Sequence, residues 1–595
     1  MSDPASKTRP GRIGRRRFLG SMPAAVAAGA TLPALAKQGP PQPAPNRFGK
    51  EVLESGEKMF GLDFTDAEEE MMLRNVTRNL ESYEALRKVN VPLDTEPAVV
   101  FRPYLPGKRP PAAGPRAKLL TLSRASQAAA ARVSVRSPLD DLAFLPATTL
   151  AGLIKAREVC SLDLTKLYLG RLKKHGDTLK CVVTLTEDLA LAQAVQADKD
   201  LRAGKYHGQL HGIPWGAKDL FATKGIRTTW GAKPYENQVI DTDATVVERL
   251  RDAGAVLVAK LSMGSLAQGG VWFGGSTRNP WNLEQGSSGS SAGPAAATAA
   301  GLVGFSIGTE TLGSIISPST ACGVVGLRPT YGRVSRHGAM ALSWTMDKIG
   351  PICRTVEDCA LAFNAIHGYD GRDETVVDAP FRWNPDSPLS KLRIGYVKGD
   401  FEEGTPPPSA NTEEEARKRF QARIAGMKEV LDTFRKAGAN LVPIELPDFP
   451  AQAIRFILSA EAATAFDDLT RSRGIDQLTA QGPGDWPNTF RSSRFVPAVE
   501  YLRAQRARTL LMRKYDELMS TCDVFLSSTG GGPGGSSLVA TNLTGHPALC
   551  LKAGFYDKMP WSLMITGRLY DEATLLRVAL AYEQATTWWT MHPTV

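Results

Sequence analysis

Hydrophobic positions along the chain fall into two patterns, the staggered three-and-four spacing of an amphipathic helix and the short unbroken apolar run of a buried strand. Met71, Met72, Val76, Leu80 and Leu86 predict a helix over about Asp66 to Lys88, packed on the outside of a core. From about Leu142 onward, helix and strand alternate. Asp243 to Asp252 reads as a helix with acidic residues at its start and Gly254 at its end, and Val256 to Ala259 follows as a short buried strand. Thr412 to Glu415 is a capping box that opens another helix, whose Phe420, Ile424, Met427, Leu431 and Phe434 share one face before the turn at Gly438. Together these segments predict an α/β fold, a sheet covered by helices.

Proline and glycine punctuate the chain at Gly39 to Pro45, Pro103 to Pro115 and Thr405 to Pro408. They mark a tether, a boundary before the main domain and the edge of a later insertion. The division expected is a leader over 1–36, a linker and helical extension over 37–141, and a main domain over 142–595 with a variable region at about 370–519. No internal repeat is visible.

With 43% apolar and 22% charged residues, the 595-residue chain has the composition of a soluble globular protein. The leader changes the compartment expected. Arg15, Arg16 and Arg17 precede Phe18 and Leu19 in a twin-arginine pattern, a weakly apolar run follows from Ser21 to Leu35, and Ala34-Leu35-Ala36 offers a cleavage site before Lys37. Residues 1–36 therefore read as an export signal, and the mature protein as periplasmic or secreted in folded form. The run is too short, and too interrupted by Pro23 and Pro33, to span a membrane. Removing the leader halves the net charge of +10 to +5, and no basic block remains to announce a nucleic-acid surface. Seven cysteines form no CxxC pair and seven histidines no HExxH, so no metal is expected, and the thiols read as core sulfur.

The candidate chemistry lies in three segments. Val303 to Ile307 is short, apolar and flanked by glycine, as a central strand should be, and Gly308 to Ser314 leaves it through small residues. Gly313 lets backbone N–H groups crowd together, as an oxyanion requires, with Ser314 at the mouth of the nest. Upstream, the Gly/Ser loop Gly286 to Gly293 runs into a helix started by Pro294. Loop, about nine helical residues and a returning strand can bring Ser290 to face Ser314. No histidine lies in a setting to serve as base. Lys218, delivered beside Asp219 by an apolar run with Pro214 and Trp215, is the candidate, because burial lowers a lysine pKa toward neutrality.

These segments resemble the amidase signature family. Lys218 stands in its strand motif, Gly289 to Gly293 in its GSS(A/G)G-type loop and Gly308 to Ser314 in its GTETxGS loop. The likeness continues through Gly323 to Met340, Asp347 to Leu361, Asp523 to Ser528, Ala540 to Gly554 and Gly567 to Ala579. It implies a large mixed β-sheet with helices on both faces, and amide hydrolysis without a cofactor by a Ser-cisSer-Lys triad. In that triad Ser314 would be the nucleophile, Ser290, in a cis peptide, the proton relay, and Lys218 the base. The backbone N–H groups of Thr311, Leu312, Gly313 and Ser314 would form the oxyanion hole. The partner implied is a small-molecule amide, with a homodimer left open. Many relatives have Gly-Gly-Ser-Ile-Arg at the nucleophile, where this chain has Leu312-Gly313-Ser314-Ile315-Ile316. The backbone donors survive that change, whereas an anion-recognising arginine does not.

Three other readings stand beside this one. The ammonia-producing component of a glutamine-dependent tRNA amidotransferase shares the motifs, and the leader argues against it. Gly289 to Gly293 is formally GxSxG, which would make Ser291 an α/β-hydrolase nucleophile with His337 or His546 as base, but such an elbow should follow directly on a buried strand. A non-catalytic binding module is disfavoured by the intact Lys218, Ser290 and Ser314. The variable region, with its aromatic cluster Trp486, Phe490 and Phe495, matches no motif, and the family resemblance implies that such a region shapes the acyl pocket.

Overall fold

Short apolar runs bounded by glycine and proline become the strands of one sheet in the computed structural model, which describes residues 47–89, 119–130, 139–402, 414–529 and 532–595. The leader, the three Pro/Gly-rich stretches and Thr412 and Glu413 of the capping box lie outside the described residues, and residues from Phe48 onward belong to one unit. The sheet has eleven strands. They are β1 (Val182–Leu185), β2 (Pro214–Lys218), β3 (Val256–Leu261), β4 (Phe305–Glu310), β5 (Val325–Arg328), β6 (Lys348–Cys353), β7 (Arg393–Val397), β8 (Asn440–Ile444), β9 (Val524–Ser528), β10 (Ala548–Tyr556) and β11 (Met559–Gly567). Their order across the sheet is β1-β3-β2-β4-β6-β5-β10-β11-β9-β7-β8. β2 runs parallel to both its neighbours and β7 to both of its own, while the other pairs are antiparallel, so the sheet is mixed as the family resemblance implies.

β2 is buried along its whole length because β3 and β4 flank it, and its proline stands at the first position, where the missing N–H costs least. Two short helices connect the strands that matter for the site. α1 (Ala292–Ala299) is small-residued and wholly buried, and α2 (Ile316–Cys322) ends at Gly323 in the left-handed conformation. The helix expected to start at Pro294 thus begins two residues earlier, with Ser291 as its N-cap. β4 is also displaced from the expected Val303 to Ile307. It runs on to Glu310 because Gly308, Thr309 and Glu310 find ladder partners in Gly350, Ile349 and Lys348 of β6.

Other expectations hold closely. A helix covers Thr245–Asp252 and another Glu414–Lys436, on which Met427, Leu431 and Phe434 are buried. The helix Asp66–Arg87 is opened by a reciprocal Thr65–Glu68 capping box. It packs on the variable region: Glu68 Oε1 pairs with Arg491 at 2.5 Å, and Asn75 Nδ2 donates to Pro483 O at 2.9 Å. Six of the seven cysteines are buried and all seven are free. No helix among the described residues is long and apolar enough to cross a membrane.

One of the fully buried ion pairs joins β4 to β5. Arg328, fully buried at the end of β5, donates to Glu310 Oε1 at 2.8 Å, to Thr541 Oγ1 at 2.8 Å and to His546 O at 3.0 Å. Deleting one member of such a pair leaves a buried charge uncompensated, at a cost of about 3–5 kcal/mol. Arg328→Met should therefore lower the urea midpoint strongly, and a midpoint equal to that of the parent would refute this role for the pair.

Candidate active site

The site forms where β2, β4 and the start of β6 end side by side. Lys218 closes β2 and is fully buried, with Nζ 2.8 Å from Ser290 Oγ, 2.8 Å from Thr309 Oγ1 and 3.4 Å from Thr309 O. No carboxylate pairs with it among the described residues. Burial pushes its pKa down to about 7, with Asp347 and then Glu310 opposing the shift at longer range. Its sequence neighbour Asp219 turns to Lys260, 3.1 Å away, and accepts from Thr229 N at 2.9 Å.

Ser290 sits on the loop between a small exposed ladder and α1, and the Gly289–Ser290 peptide is cis. Gly289 is required by close approach, since a Cβ there would fall 1.8 Å from Gly269 O. Ser291 fastens this loop to the neighbouring one. Its Oγ donates to Thr309 O at 3.1 Å and accepts from Thr309 N at 3.2 Å, and its N–H donates to Ser314 O at 3.1 Å. The expected meeting of the two serine loops is thus made through Ser291.

Ser314 is half-buried on the turn between β4 and α2, and Gly313 before it has φ 103°, a conformation suited to glycine. Behind the turn, the Oε2 of Glu310 accepts from the N–H of Ile315 and of Ile316, each at 2.9 Å. The N–H groups of Leu312, Gly313 and Ser314 have no acceptor among the described residues, so they stay free for a ligand oxygen. Burial raises the Glu310 pKa, but Arg328 and the loop N–H groups outweigh it and hold the carboxyl below the usual range. Asp347 braces the same turn from the front. It accepts from Thr311 Oγ1 at 2.6 Å and from the N–H of Leu342 and Ser343 at 2.8 and 2.9 Å.

The elbow geometry is absent. The strand before Ser290, Asn282–Gly286, is mostly exposed and pairs only with Arg278–Asn279, and the Ser291 hydroxyl is spent on Thr309. His546 bonds Thr544 Oγ1 at 2.8 Å, and burial pushes its pKa down to about 3. Of the aromatic cluster, Trp486 and Phe490 stack at 4.9 Å and Trp486 Nε1 donates to Leu266 O at 2.8 Å. Phe495 instead turns toward Leu53, Met72 and Leu73 of the N-terminal helices, because it lies beyond the end of the helix that carries the other two.

A cavity of about 270 Å³ opens beside the site, with Thr309, Thr311, Asp347 and Lys348 on its polar wall and Leu220, Met340, Leu342 and Trp344 among its apolar ones. Thr309, Glu310, Asp347, Arg328 and Asn542 do not stand out individually in the sequence. Their one signal is membership of the motif runs around them.

A central strand thus ends in a buried lysine, with no carboxylate paired to it among the described residues, against a cis-serine and next to a glycine turn with free N–H groups, and the comparisons with known proteins give the class of protein that carries this arrangement. The family model described as Amidase matches residues 163–534, and the chain belongs to the amidase signature family. It is similar to a glutamyl-tRNA(Gln) amidotransferase component from Methylococcus capsulatus, with 36% identity over 488 residues, 75% of this chain and 97% of that protein. Its fold matches native peptide amidase from Stenotrophomonas maltophilia with a TM-score of 0.64 and 29% identity, over 75% of this chain and 98% of that one. It also matches the corresponding glutamyl-tRNA(Gln) amidotransferase component from Thermotoga maritima with a TM-score of 0.60 and 27% identity, over 75% and 95% of the two chains.

The lowered Lys218 pKa has a consequence for stability. Its folded value near 7 lies below the ordinary lysine value of 10.5, so between those limits the unfolded chain holds a proton that the folded chain lacks. Stability gains from this group as pH rises through the window. Lys218→Met should remove that gain, seen as a smaller rise in unfolding free energy relative to the parent between about pH 7 and 10. Parallel curves for the two proteins would sink the assignment.

Proposed function

We propose that this amidase works alone on a small amide through an acyl-serine intermediate. Ser314 Oγ attacks the carbonyl carbon while its proton passes by way of Ser290 Oγ to the neutral amine of Lys218. The N–H groups of Thr311, Leu312, Gly313 and Ser314 hold the oxyanion. The proton returns along the same path to the leaving nitrogen as the C–N bond breaks. Water then adds to the acyl-enzyme, releasing the acid and restoring Ser314. No metal or other cofactor enters this route. The observation that carries the reading is the 2.8 Å contact between Lys218 and Ser290 with no acid paired to the amine. A protonated lysine cannot accept, so activity should climb as pH rises through about 7.

The similarity to amidotransferase components favours a second reading, in which the chain delivers ammonia within a complex. The two are separated by assaying the purified full chain, without ATP, tRNA or any partner, on aryl anilides, peptide amides and fatty amides. Hydrolysis by the parent, its loss in Ser314→Ala and fluorophosphonate labelling at Ser314 are expected. Labelling at Ser291, or activity that emerges only with a partner protein, would overturn the reading.

We also propose that residues 1–36 direct export by the twin-arginine route, which the paired arginines and the cleavage site before Lys37 support. Replacing Arg15 and Arg16 by lysine should leave folded, active precursor in the cytoplasm. Periplasmic recovery of that variant, or a parent protein that keeps residues 1–36 in the cytoplasm, would refute it.

A further inference from the structure

A second and larger cavity, of about 520 Å³, lies at the C-terminal ends of the two helices that follow the serine loops, where Ala299 closes α1 and Cys322 closes α2. Its size falls in the range of small-molecule sites. Aromatic rings wall it, with Phe144, Trp281 and Trp589 on its surface, and two cations reach it, Arg354 and Lys552.

Neither cation has an ion-pair partner among the described residues. Arg354 is only 9% exposed; its terminal nitrogens donate to Val303 O at 2.7 Å, Leu145 O at 2.8 Å, Tyr168 Oη at 3.3 Å and Thr298 O at 3.4 Å, and its buried Nε has no acceptor. Lys552 is 8% exposed, donates to Met591 O and lies 5.2 Å from the centre of the Trp281 ring.

Two of the acids on the same wall accept hydrogen bonds from neighbouring N–H and O–H groups. Glu357 accepts from Ser123 N at 2.7 Å and Ser123 Oγ at 2.8 Å. Glu583 accepts from Val356 N at 2.9 Å, and burial pushes its pKa well up against the opposing charge of Lys552. Asp141 is exposed at the rim. A buried cation without an ion-pair partner is costly, and a ligand carboxylate would lower that cost.

We propose that this cavity is a second binding site, separate from the Lys218–Ser290–Ser314 site, for a small carboxylate with an aromatic or aliphatic body. The acid group meets Arg354 and Lys552, and the body lies among Phe144, Trp281 and Trp589. Carboxylic acids are also products of amide hydrolysis, so the ligand class overlaps with what the enzyme releases.

The test uses the purified full chain and 3-phenylpropionate, followed by tryptophan fluorescence and calorimetry, with 3-phenylpropylamine and 3-phenylpropanol as controls. The acid should bind, and the amine and alcohol should bind about tenfold or more weakly, the value of one charge-assisted contact. Lys552→Met should weaken the acid by a similar factor. Trp589→Ala, at a residue 39% exposed and so harmless to the core, should weaken all three probes. Ser314→Ala should leave the acid's affinity unchanged, whether or not Ser314 proves to be the nucleophile. Equal binding of acid and amine, parent-like affinity in both Lys552→Met and Trp589→Ala, no binding by the parent, or loss of binding in Ser314→Ala would each overturn the proposal.

Discussion

The carboxylate of Glu310 is the contact on which the site's geometry rests. One oxygen takes two successive N–H groups of the turn after β4, at Ile315 and Ile316; the other takes Arg328 and, at 2.8 Å, Asn542 Nδ2. Four donors from three separate parts of the chain thus converge on one buried acid. The result is a division of labour along the turn: Ile315 and Ile316 are bound from behind, and Leu312, Gly313 and Ser314 keep their N–H groups for the front. Without an acid at 310 those two amides would be buried and unsatisfied and the Arg328 charge uncompensated, which is the costlier arrangement.

Lys218 depends on a different part of the same architecture. A lysine becomes a neutral base only when water and carboxylates are both kept away. The sheet order meets both demands. β2 is covered edge to edge by β3 and β4, and the nearest acid in sequence, Asp219, is drawn off by Lys260 one strand away. The surrounding acceptors that remain, Ser290 Oγ and Thr309 Oγ1, are neutral. The burial of a second lysine in the β3 strand is therefore part of how the first stays unpaired.

Much of this is legible in the sequence, because the elements near the site are short, apolar and punctuated by glycine. Lys218, Ser290 and Ser314 stand on the elements expected of them, and Lys218 and Ser290 are in contact. What local pattern does not supply is the set of partners contributed from far along the chain. Arg328 and Asn542 reach Glu310 only after β5 and β10 have taken neighbouring places in the sheet, an order that no local periodicity encodes. The end of β4 is hidden for the same reason, since glycine reads as a break until an antiparallel partner is known. Spacing alone groups Phe495 with Trp486 and Phe490, whereas the helix ends at Ser493 and releases it toward the N-terminal helices.

The variable region is tied to the site by charge as well as by packing. Glu461 accepts from Ser343 Oγ at 2.6 Å and Thr345 Oγ1 at 2.7 Å, while Arg508 Nη2 donates to Thr345 O at 2.8 Å, and all these groups are buried or half-buried. They pin the segment from Leu342 to Met346, whose Leu342 and Ser343 N–H groups in turn fix Asp347 against Thr311. Ile316, where many relatives carry an arginine, is packed instead with Ala548, Cys550 and Met564. Position 316 thus contributes to the core and not to recognition. Leu342, Trp344, Asp347 and Lys348 of this segment form part of the cavity wall, and Glu461 and Arg508 hold that part in place from the variable region. Glu310 and Lys218 are held on the sheet and the serines on the loops beside it, so side chains of the cavity wall can differ without moving them.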